Sequence, residues 1–560
     1  MKELIVGLLS GVIGDKLSRD DISKLIEIPP SDDLGDFSFP VFSLSKVFRK
    51  SPAVIAEEIK AALVLPSSVE KIIIVSGYIN FYMNKQIMAQ QCIDNATAPD
   101  YGKLNKRGTV IVEFASPNTN KPLHLGHLRN MSIGESVSRL LTFCGFNVVR
   151  TSINNDRGVH ICKSMLAYKE FGNNTTPESV NKKSDHFVGD YYVAFSKKAA
   201  EDESWNEQAQ EMLRLWEAGD EPTVALWKVM NAWALDGFRE SYRLFGIKFD
   251  KEYYESQIYK FGKEIILEGL EKGIFTKRAD GAVIVNLEDE KLGEKVLLRP
   301  DGTSVYIVQD IFLAVLKNKE YNYDQSLYVV GNEQEYHFQV LIAIFRKLGY
   351  PIADKIKHLS YGMVELPEGR MKSREGTVVD ADDLVKETQS LATEELKERY
   401  TLTQEEMNDR SLKIALSAIK YTLLRIDILK NMMFDPKKAI SFEGDTGPYL
   451  LYSYARASSI IRKSTATTPV AIGFLNASEV KLIKKLNYFS SSVNFSYEKL
   501  SPSVIANYAF ELAQCFNEFY HGCKVIGSNE ESFRIQLVKS FRSVLGNCLW
   551  ILGIDSIEEM

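Results

Sequence analysis

Apolar residues fall along this chain at two spacings, and the change from one to the other lays out its elements. Short apolar runs at residues 109–113 and 147–153 flank a longer segment, 129–143, whose apolar positions recur three and four apart. The runs predict strands and the segment a helix. A strand, helix, strand series of this length is a crossover unit whose strands lie parallel in one sheet. Further runs at 282–287, 296–299, 304–308, 327–331 and 358–362 predict the strands that complete this sheet, with a helix starting near Glu335. Residues 173–280 carry mostly helical spacing, many charges, and Trp205, Trp216, Trp227 and Trp233, which are expected to pack between helices.

The two ends differ from this middle. Residues 1–100 predict a small α/β unit: Ser51 and Pro52 suit the cap and first position of a helix, and strands at 71–75 and 78–83 turn around Ser76 and Gly77. Residues 32–40 read as a loop. From residue 381 to 560 the spacing is helical nearly throughout, with Leu412, Ala415, Leu416, Ile419, Leu423 and Ile426 making one apolar stripe. The expected organisation is a small N-terminal α/β domain over 1–100, a parallel-sheet α/β domain over 101–380 with a mostly helical insertion at 173–280, and an all-α domain over 381–560.

Composition changes this picture little. At 560 residues, 45% hydrophobic and 25% charged, the chain has the make-up of an ordinary soluble protein. No apolar run approaches a membrane span and residues 1–10 lack a secretion signal, so a cytoplasmic protein without membrane contact is expected. The six cysteines are scattered without zinc-ligand spacing, so neither a structural metal nor a disulfide is expected. A net charge of -6 argues against nonspecific wrapping of nucleic acid. Residues 411–463 nevertheless hold nine Lys or Arg against four Asp or Glu, a local basic patch.

The densest chemistry lies between the first parallel strand and its helix. Residues 113–129 carry Glu113, Asn118, Lys121, His124, Gly126 and His127, with Pro117, Pro122 and Gly126 expected to keep the chain irregular where a parallel sheet opens its ligand crevice. The first turn of a helix leaves N–H groups unpaired and carries partial positive charge, so this helix start suits phosphate, with Lys121, His124 and His127 adding donors. Gly126 would let a flat group such as a nucleobase lie close to the backbone. A plain strand-to-helix turn, with one capping and one satisfied histidine, fits the same residues. Asp156 and Gly158 follow the second strand on the same rim, where Asp156 also fits a helix cap.

Two later stretches carry further cations. Arg370, Lys372 and Arg374 crowd a glycine-flanked loop that suits a polyphosphate, and equally suits solvent. In the basic patch, Tyr449, Tyr452, Arg456 and Ser459 share one helical face. Aromatics interleaved with cations fit unpaired bases and phosphates, and tyrosines packed into a bundle fit as well.

Taken in order, these residues resemble a class I aminoacyl-tRNA synthetase, and within that class the arginyl-tRNA synthetase family. His124-Leu-Gly-His127 is similar to the first class signature, and Arg370-Met-Lys-Ser-Arg374 to a degenerate form of the second, Lys-Met-Ser-Lys-Ser. Glu113 through Asn118, Lys121-Pro122, the Gly189-Asp-Tyr-Tyr192 turn, and Tyr306 with Asp310 carry the arginine-specific part. Gly447-Pro-Tyr449 through Arg456 is similar to the helical anticodon-binding domain, and Gly35-Asp36 to the appended N-terminal domain. The likeness covers essentially the whole chain.

The resemblance implies a Rossmann-like catalytic domain that ligates L-arginine to its cognate tRNA. Arginine's carboxylate attacks the ATP α-phosphate, pyrophosphate leaves, and the arginyl group passes to the terminal adenosine. It further implies Mg²⁺ alongside ATP, a monomer, and an N-terminal domain that contacts the tRNA core. By the same resemblance Lys121, His124, His127 and Lys372 are catalytic, and His124, Gly126, His127, Met371 and Ser373 bind ATP. Glu113, Asn118, Tyr306, Asp310 and Gln339 bind arginine, and Tyr449, Tyr452 and Arg456 contact tRNA. Glu113 and Asp310 would face the guanidinium, whose planar donors pair with carboxylates in a way lysine's point charge does not. Two positions depart from the family. Arg370 replaces the first lysine of the second signature and Ser373 stands at its catalytic second lysine, which implies that Lys121 supplies the missing charge. Arg157 stands where the family usually has tryptophan. A nucleotidyltransferase of the same broad fold and a synthetase-derived RNA-binding protein without catalysis are the other readings.

Overall fold

The structure, a computed structural model, describes residues 1–367, 379–466 and 472–560. The chain divides into two compact units. One comprises Met1–Tyr101, Arg456–Ser490 and Glu511–Leu545; the other comprises Gly102–Ala455, Ser491–Phe510 and Gly546–Met560.

In the first unit β1 (Phe37–Pro40), β2 (Val69–Val75) and β3 (Tyr78–Met83) form an antiparallel sheet in the order β1-β3-β2. Ser76 and Gly77 turn β2 into β3, both at positive φ, as the sequence leads one to expect. β1 corrects the reading of residues 32–40 as loop: four residues are too few to show alternation, yet Phe37 and Phe39 are buried. Asp36, buried just before β1, accepts from the Met83 amide at 2.8 Å and pairs with Lys484 at 2.8 Å. The Gly35-Asp36 motif therefore has a structural task within this unit.

The second unit carries β4 (Thr109–Glu113), β5 (Asn147–Asn154), β6 (Lys251–Tyr254), β7 (Thr276–Lys277), β8 (Val283–Asn286), β9 (Glu294–Leu298), β10 (Gln325–Gly331) and β11 (Ile356–Tyr361). Its main sheet is parallel throughout, in the order β11-β10-β4-β5-β6. From β4 the chain builds outward through β5 to β6 on one side, and β10 and β11 fill the other. The order thus reverses between β4 and β10, and sheets of this kind open their crevice beyond the carboxyl ends of the strands at that reversal. β4 is central, which explains why Val110, Ile111 and Val112 are all buried instead of alternating.

Three parts of the sheet reading need correction. Residues 282–287 and 296–299 form a separate antiparallel sheet, β7-β8-β9, and do not extend the main one. Residues 304–308 are not a strand, because the helix Tyr306–Tyr321 begins inside them. Ile307, Val308, Ile311 and Ala314 keep helical spacing over a window longer than the five residues that mimic alternation. β6 lies inside the supposed helical insertion, and its Lys-Glu-Tyr-Tyr sequence has no apolar run to mark an edge strand.

β7 lies within the insertion too, and most of the rest is helical, chiefly Ser184–Glu201, Ser204–Ala218 and Glu221–Phe245. The tryptophans pack as expected: Trp205 stacks on Phe171 at 5.5 Å, Trp216 meets Trp227 edge-on at 5.2 Å, and Trp233 meets Phe187 at 5.4 Å. Gly189-Asp-Tyr-Tyr192 lies within the first of these helices and is not a turn. A Cβ on Gly189 would come 2.7 Å from Pro122 Cδ, so the glycine admits the signature loop against the helix.

Candidate active site

A cavity of about 330 Å³ opens at the strand-order reversal. Ala115 and Ser116 after β4, Val329 and Val330 on β10, and Tyr361 ending β11 line it, together with His124, Gly126, His127 and Asn130. The last four sit at or inside the start of the helix Leu125–Cys144, which His124 caps. Ala115 and Ser116 take left-handed backbone, φ 67° and 48°, which costs a non-glycine residue about 1–2 kcal/mol. Asn130 supplies part of what holds them there. Its side chain accepts from the Ala115 amide at 2.6 Å and donates to the Val329 carbonyl at 2.7 Å, with Tyr361 Oη 3.1 Å away. Sequence reasoning missed Asn130, although its place one turn after His127 puts it on the same helical face.

The amides of this helix start do not match the expectation of open N–H groups. Leu125 N donates to the Val379 carbonyl at 3.2 Å, Gly126 N to His124 Nδ1 at 3.1 Å, and His127 N to the His124 carbonyl at 2.7 Å. His127 Nδ1 in turn accepts from His124 N at 3.1 Å. A neutral imidazole that accepts at Nδ1 carries its proton on Nε2, so each ring keeps one donor for a ligand. Burial, reinforced by Lys121, pushes the His124 pKa down to about 4 and that of His127 well below the ordinary value. Both are therefore neutral donors at physiological pH. Gly126 also changes meaning: a Cβ there would lie 3.0 Å from His124 Cε1, so its first service is to admit the capping imidazole.

Lys121 is half-buried, and burial lowers its pKa. It forms no hydrogen bond or ion pair among the described residues. Its ammonium is the charge that His124 and His127 lack.

On the other side of β4 the groups are paired. Tyr306 and Asp310 lie one turn apart on the helix Tyr306–Tyr321, and Asp310 Oδ2 is 2.7 Å from His337 Nε2. Tyr306 Oη donates to Asn155 Oδ1 at 3.2 Å, and Asn118 bridges Asn155 through the backbone. Glu113, ending β4 and nearly buried, pairs with Lys317 of the same helix. The structure thus gathers Glu113, Asn118, Tyr306 and Asp310 around one helix. It does not bring Gln339 there. Gln339 is exposed on the helix Glu335–Lys347, and His337 reaches Asp310 instead; two residues along a helix are about 200° apart, so the two cannot share a face.

Neighbouring positions settle smaller questions. Asp156 does not cap the following helix, Val159–Phe171, whose cap position is Gly158; it accepts from Ser256 N at 2.8 Å and Oγ at 2.7 Å. Arg157 pairs with Glu217, sits 4.1 Å over the Tyr259 ring and 3.7 Å from Glu255. Burial pushes the Glu255 carboxyl up to about 7, with Arg157 opposing; no motif points to this residue. Asp185, His186 and Asp382 come close enough together to hold a cation. Lys183 fills that role, bonded to Asp382 and 3.1 Å from Asp185.

On the helix Gly447–Lys463, Tyr449 and Tyr452 are half-buried. Tyr449 meets Phe510 edge-on at 5.7 Å, and Arg456 donates to Asn517 and lies 4.7 Å over Tyr520. Arg370, Met371, Lys372, Ser373 and Arg374 lie outside the described residues. None of the six buried cysteines is in a disulfide, and no helix among the described residues is long and apolar enough to cross a membrane.

Over residues 91–436 the chain matches the family described as tRNA synthetases class I (R), catalytic domain. Residues 450–560 match the DALR anticodon binding domain and residues 1–83 the arginyl tRNA synthetase N terminal domain. The chain is 44% identical to the arginine–tRNA ligase of Treponema denticola, covering 100% of this chain and 99% of that one. It is also 44% identical to the arginine–tRNA ligase of Bacteroides thetaiotaomicron, over 94% of each. The solved Thermus thermophilus arginyl-tRNA synthetase is similar over 100% of both chains, with a TM-score of 0.88 at 26% identity. With a catalytic-domain match over most of its length and relatives this similar from end to end, the chain belongs to the arginyl-tRNA synthetase family of class I synthetases.

Proposed function

We propose that this protein ligates L-arginine to its cognate tRNA through an arginyl-adenylate. The observation that carries the reading is the division of labour around β4. Glu113 ending β4 and Asn118 in the loop after it gather around the helix that carries Tyr306 and Asp310, with carboxylates suited to a guanidinium, while His124, Gly126 and His127 line the cavity with Lys121 beside them. Activation needs no protein nucleophile, because arginine's own carboxylate attacks the α-phosphorus and pyrophosphate departs with the bonding electrons. What the protein contributes is placement and stabilisation of charge on the transferring phosphate.

In this reading the Nε2–H groups of His124 and His127 donate to phosphate oxygens, and Lys121 neutralises the charge that builds there. From the second signature, Lys372 would act in catalysis and Met371 and Ser373 in ATP binding, as the family resemblance implies. Mg²⁺ enters with ATP. Among the described residues lining the cavity there is no carboxylate, so from that side the metal would be held by the triphosphate itself and water. Glu113 and Asp310 take the guanidinium, whose planar donors lysine's point charge cannot supply, and that difference is enough to reject lysine without an editing site. The insertion therefore has no need of an editing role. Tyr449, Tyr452 and Arg456 belong to the tRNA-facing part of the helical domain, and residues 1–100 to contact with the tRNA core. We read the protein as a cytoplasmic monomer.

Purified protein given arginine, ATP, Mg²⁺ and tRNA is expected to form acid-labile arginyl-tRNA. Correctly folded protein that makes none would overturn the proposal.

A further inference from the structure

Lys317 is the most deeply buried charge beside the proposed arginine pocket. Its side chain is 0% exposed, its ammonium pairs with Glu113 Oε2, and it lies 4.6 Å from the centre of the Tyr328 ring and 5.7 Å from that of Tyr253. It stands two turns beyond Asp310 and three beyond Tyr306, so at about 100° per residue all three lie within roughly 40° on one face of the helix Tyr306–Tyr321. That face carries, in order, an aromatic hydroxyl, a carboxylate and an ammonium toward the residues around β4. Burying an ammonium is costly unless a partner compensates it, and Glu113 with the two ring faces does so.

We propose that Lys317 is a specificity-determining positioning residue for arginine: it holds Glu113 as an anion in one orientation and leaves Oε1 for the substrate. The inference rests on the reading of Glu113 as an arginine-binding residue. Glu113 Oε1 accepts none of the side-chain hydrogen bonds among the described residues, while Oε2 is committed to Lys317. Without the lysine, the Glu113 carboxylate loses the ion pair that fixes it. With it, the guanidinium meets a carboxylate that is already oriented. Lys317 touches neither substrate nor reacting atoms in this account and acts only through Glu113.

The test compares Lys317→Met, Lys317→Arg, Glu113→Gln and the double variant Glu113→Gln/Lys317→Met in the full chain, in aminoacylation assays with tRNA present. Lys317→Met is expected to raise the arginine KM about tenfold or more while the ATP KM stays within about twofold. Lys317→Arg should recover most of the loss. The double variant, which removes both buried charges and so keeps the protein folded if Lys317→Met alone does not, should match Glu113→Gln in arginine KM. Equal changes in both KM values for Lys317→Met, a fall in kcat alone, or independent effects in the double variant would each overturn the proposal. A KM effect in Glu113→Gln but not in Lys317→Met overturns it and leaves the pocket reading standing. No KM effect in Glu113→Gln removes the pocket reading itself, and the proposal with it.

Discussion

The two half-sites proposed around β4 are built on opposite electrostatic plans. On the arginine side every carboxylate already has a cationic or polar partner in the protein, Glu113 with Lys317 and Asp310 with His337. On the proposed nucleotide side the two signature histidines are neutral, the helix amides are occupied and, among the described residues, half-buried Lys121 carries the positive charge. The difference follows from what each side must recognise. A guanidinium is a fixed cation with planar donors, best met by anions held rigidly beforehand. A triphosphate changes its charge distribution during the reaction, and a charge without another partner is most effective where that change occurs.

Removing Lys121 is the harshest way to break this contrast. Lys121→Ala should lower kcat for arginine activation by about 10²–10³, as loss of a transition-state donor does elsewhere, with tRNA affinity near normal. A filter-binding assay for tRNA beside pyrophosphate exchange would check both halves. Asp310→Asn attacks the other side. It should raise the arginine KM by about tenfold to a hundredfold, the range expected for losing a charged hydrogen bond, and move the ATP KM far less. Comparable changes in the two constants would remove Asp310 from the arginine pocket.

Asn130→Ala sharpens the comparison at the boundary between the half-sites. It leaves the Ala115 amide and the Val329 carbonyl without a buried partner, at a cost of about 1–3 kcal/mol in stability, and it should raise the ATP KM by loosening the crevice floor. Thermal unfolding and ATP kinetics on the same preparation would show whether both occur.

The smallest effect is in the pH dependence of stability. The folded pKa of His124 is lowered to about 4, so below the unfolded value near 6.5 the unfolded chain takes a proton that the folded chain refuses. Stability should therefore fall as pH drops from about 6.5 toward 4. His186 has the opposite sign. Burial disfavours its charge, but Asp380 and Asp382 override this and raise its pKa to about 10. Its contribution is fully present below about 6.5 and is lost as pH rises toward 10. Unfolding midpoints measured between pH 5 and 9 should lose acid sensitivity in His124→Asn and alkaline sensitivity in His186→Gln.

Much of this was legible in the sequence where one element carries its own signal. The apolar run of β4, the helical spacing over 129–143 and the helix starting at Glu335 are local patterns, and the structure has them in place, with the first helix starting earlier, at Leu125, so that it takes in Gly126. Pairing was less legible. Nothing in residues 282–299 says that their strands join each other and not the main sheet, because strand partners are chosen by tertiary contacts. The site behaves the same way. His124 and His127 stand out as a motif, but that each imidazole spends Nδ1 on the helix start, and is neutral for lack of solvent, is a property of the folded environment. Lys317 and Asn130 carry no motif. They matter through partners 204 and 199 residues away.

The most direct test of two separable half-sites is the single-turnover rate of arginyl-adenylate formation, with tRNA bound, followed across arginine concentration in Lys121→Ala and Asp310→Asn. The two-plan account predicts that Lys121→Ala saturates at the wild-type arginine concentration but at a rate about 10²–10³ lower, whereas Asp310→Asn approaches the wild-type rate only at much higher arginine. If both variants instead changed the same parameter, rate or half-saturation, the division between a charge-paired arginine side and a lysine-driven nucleotide side would be contradicted.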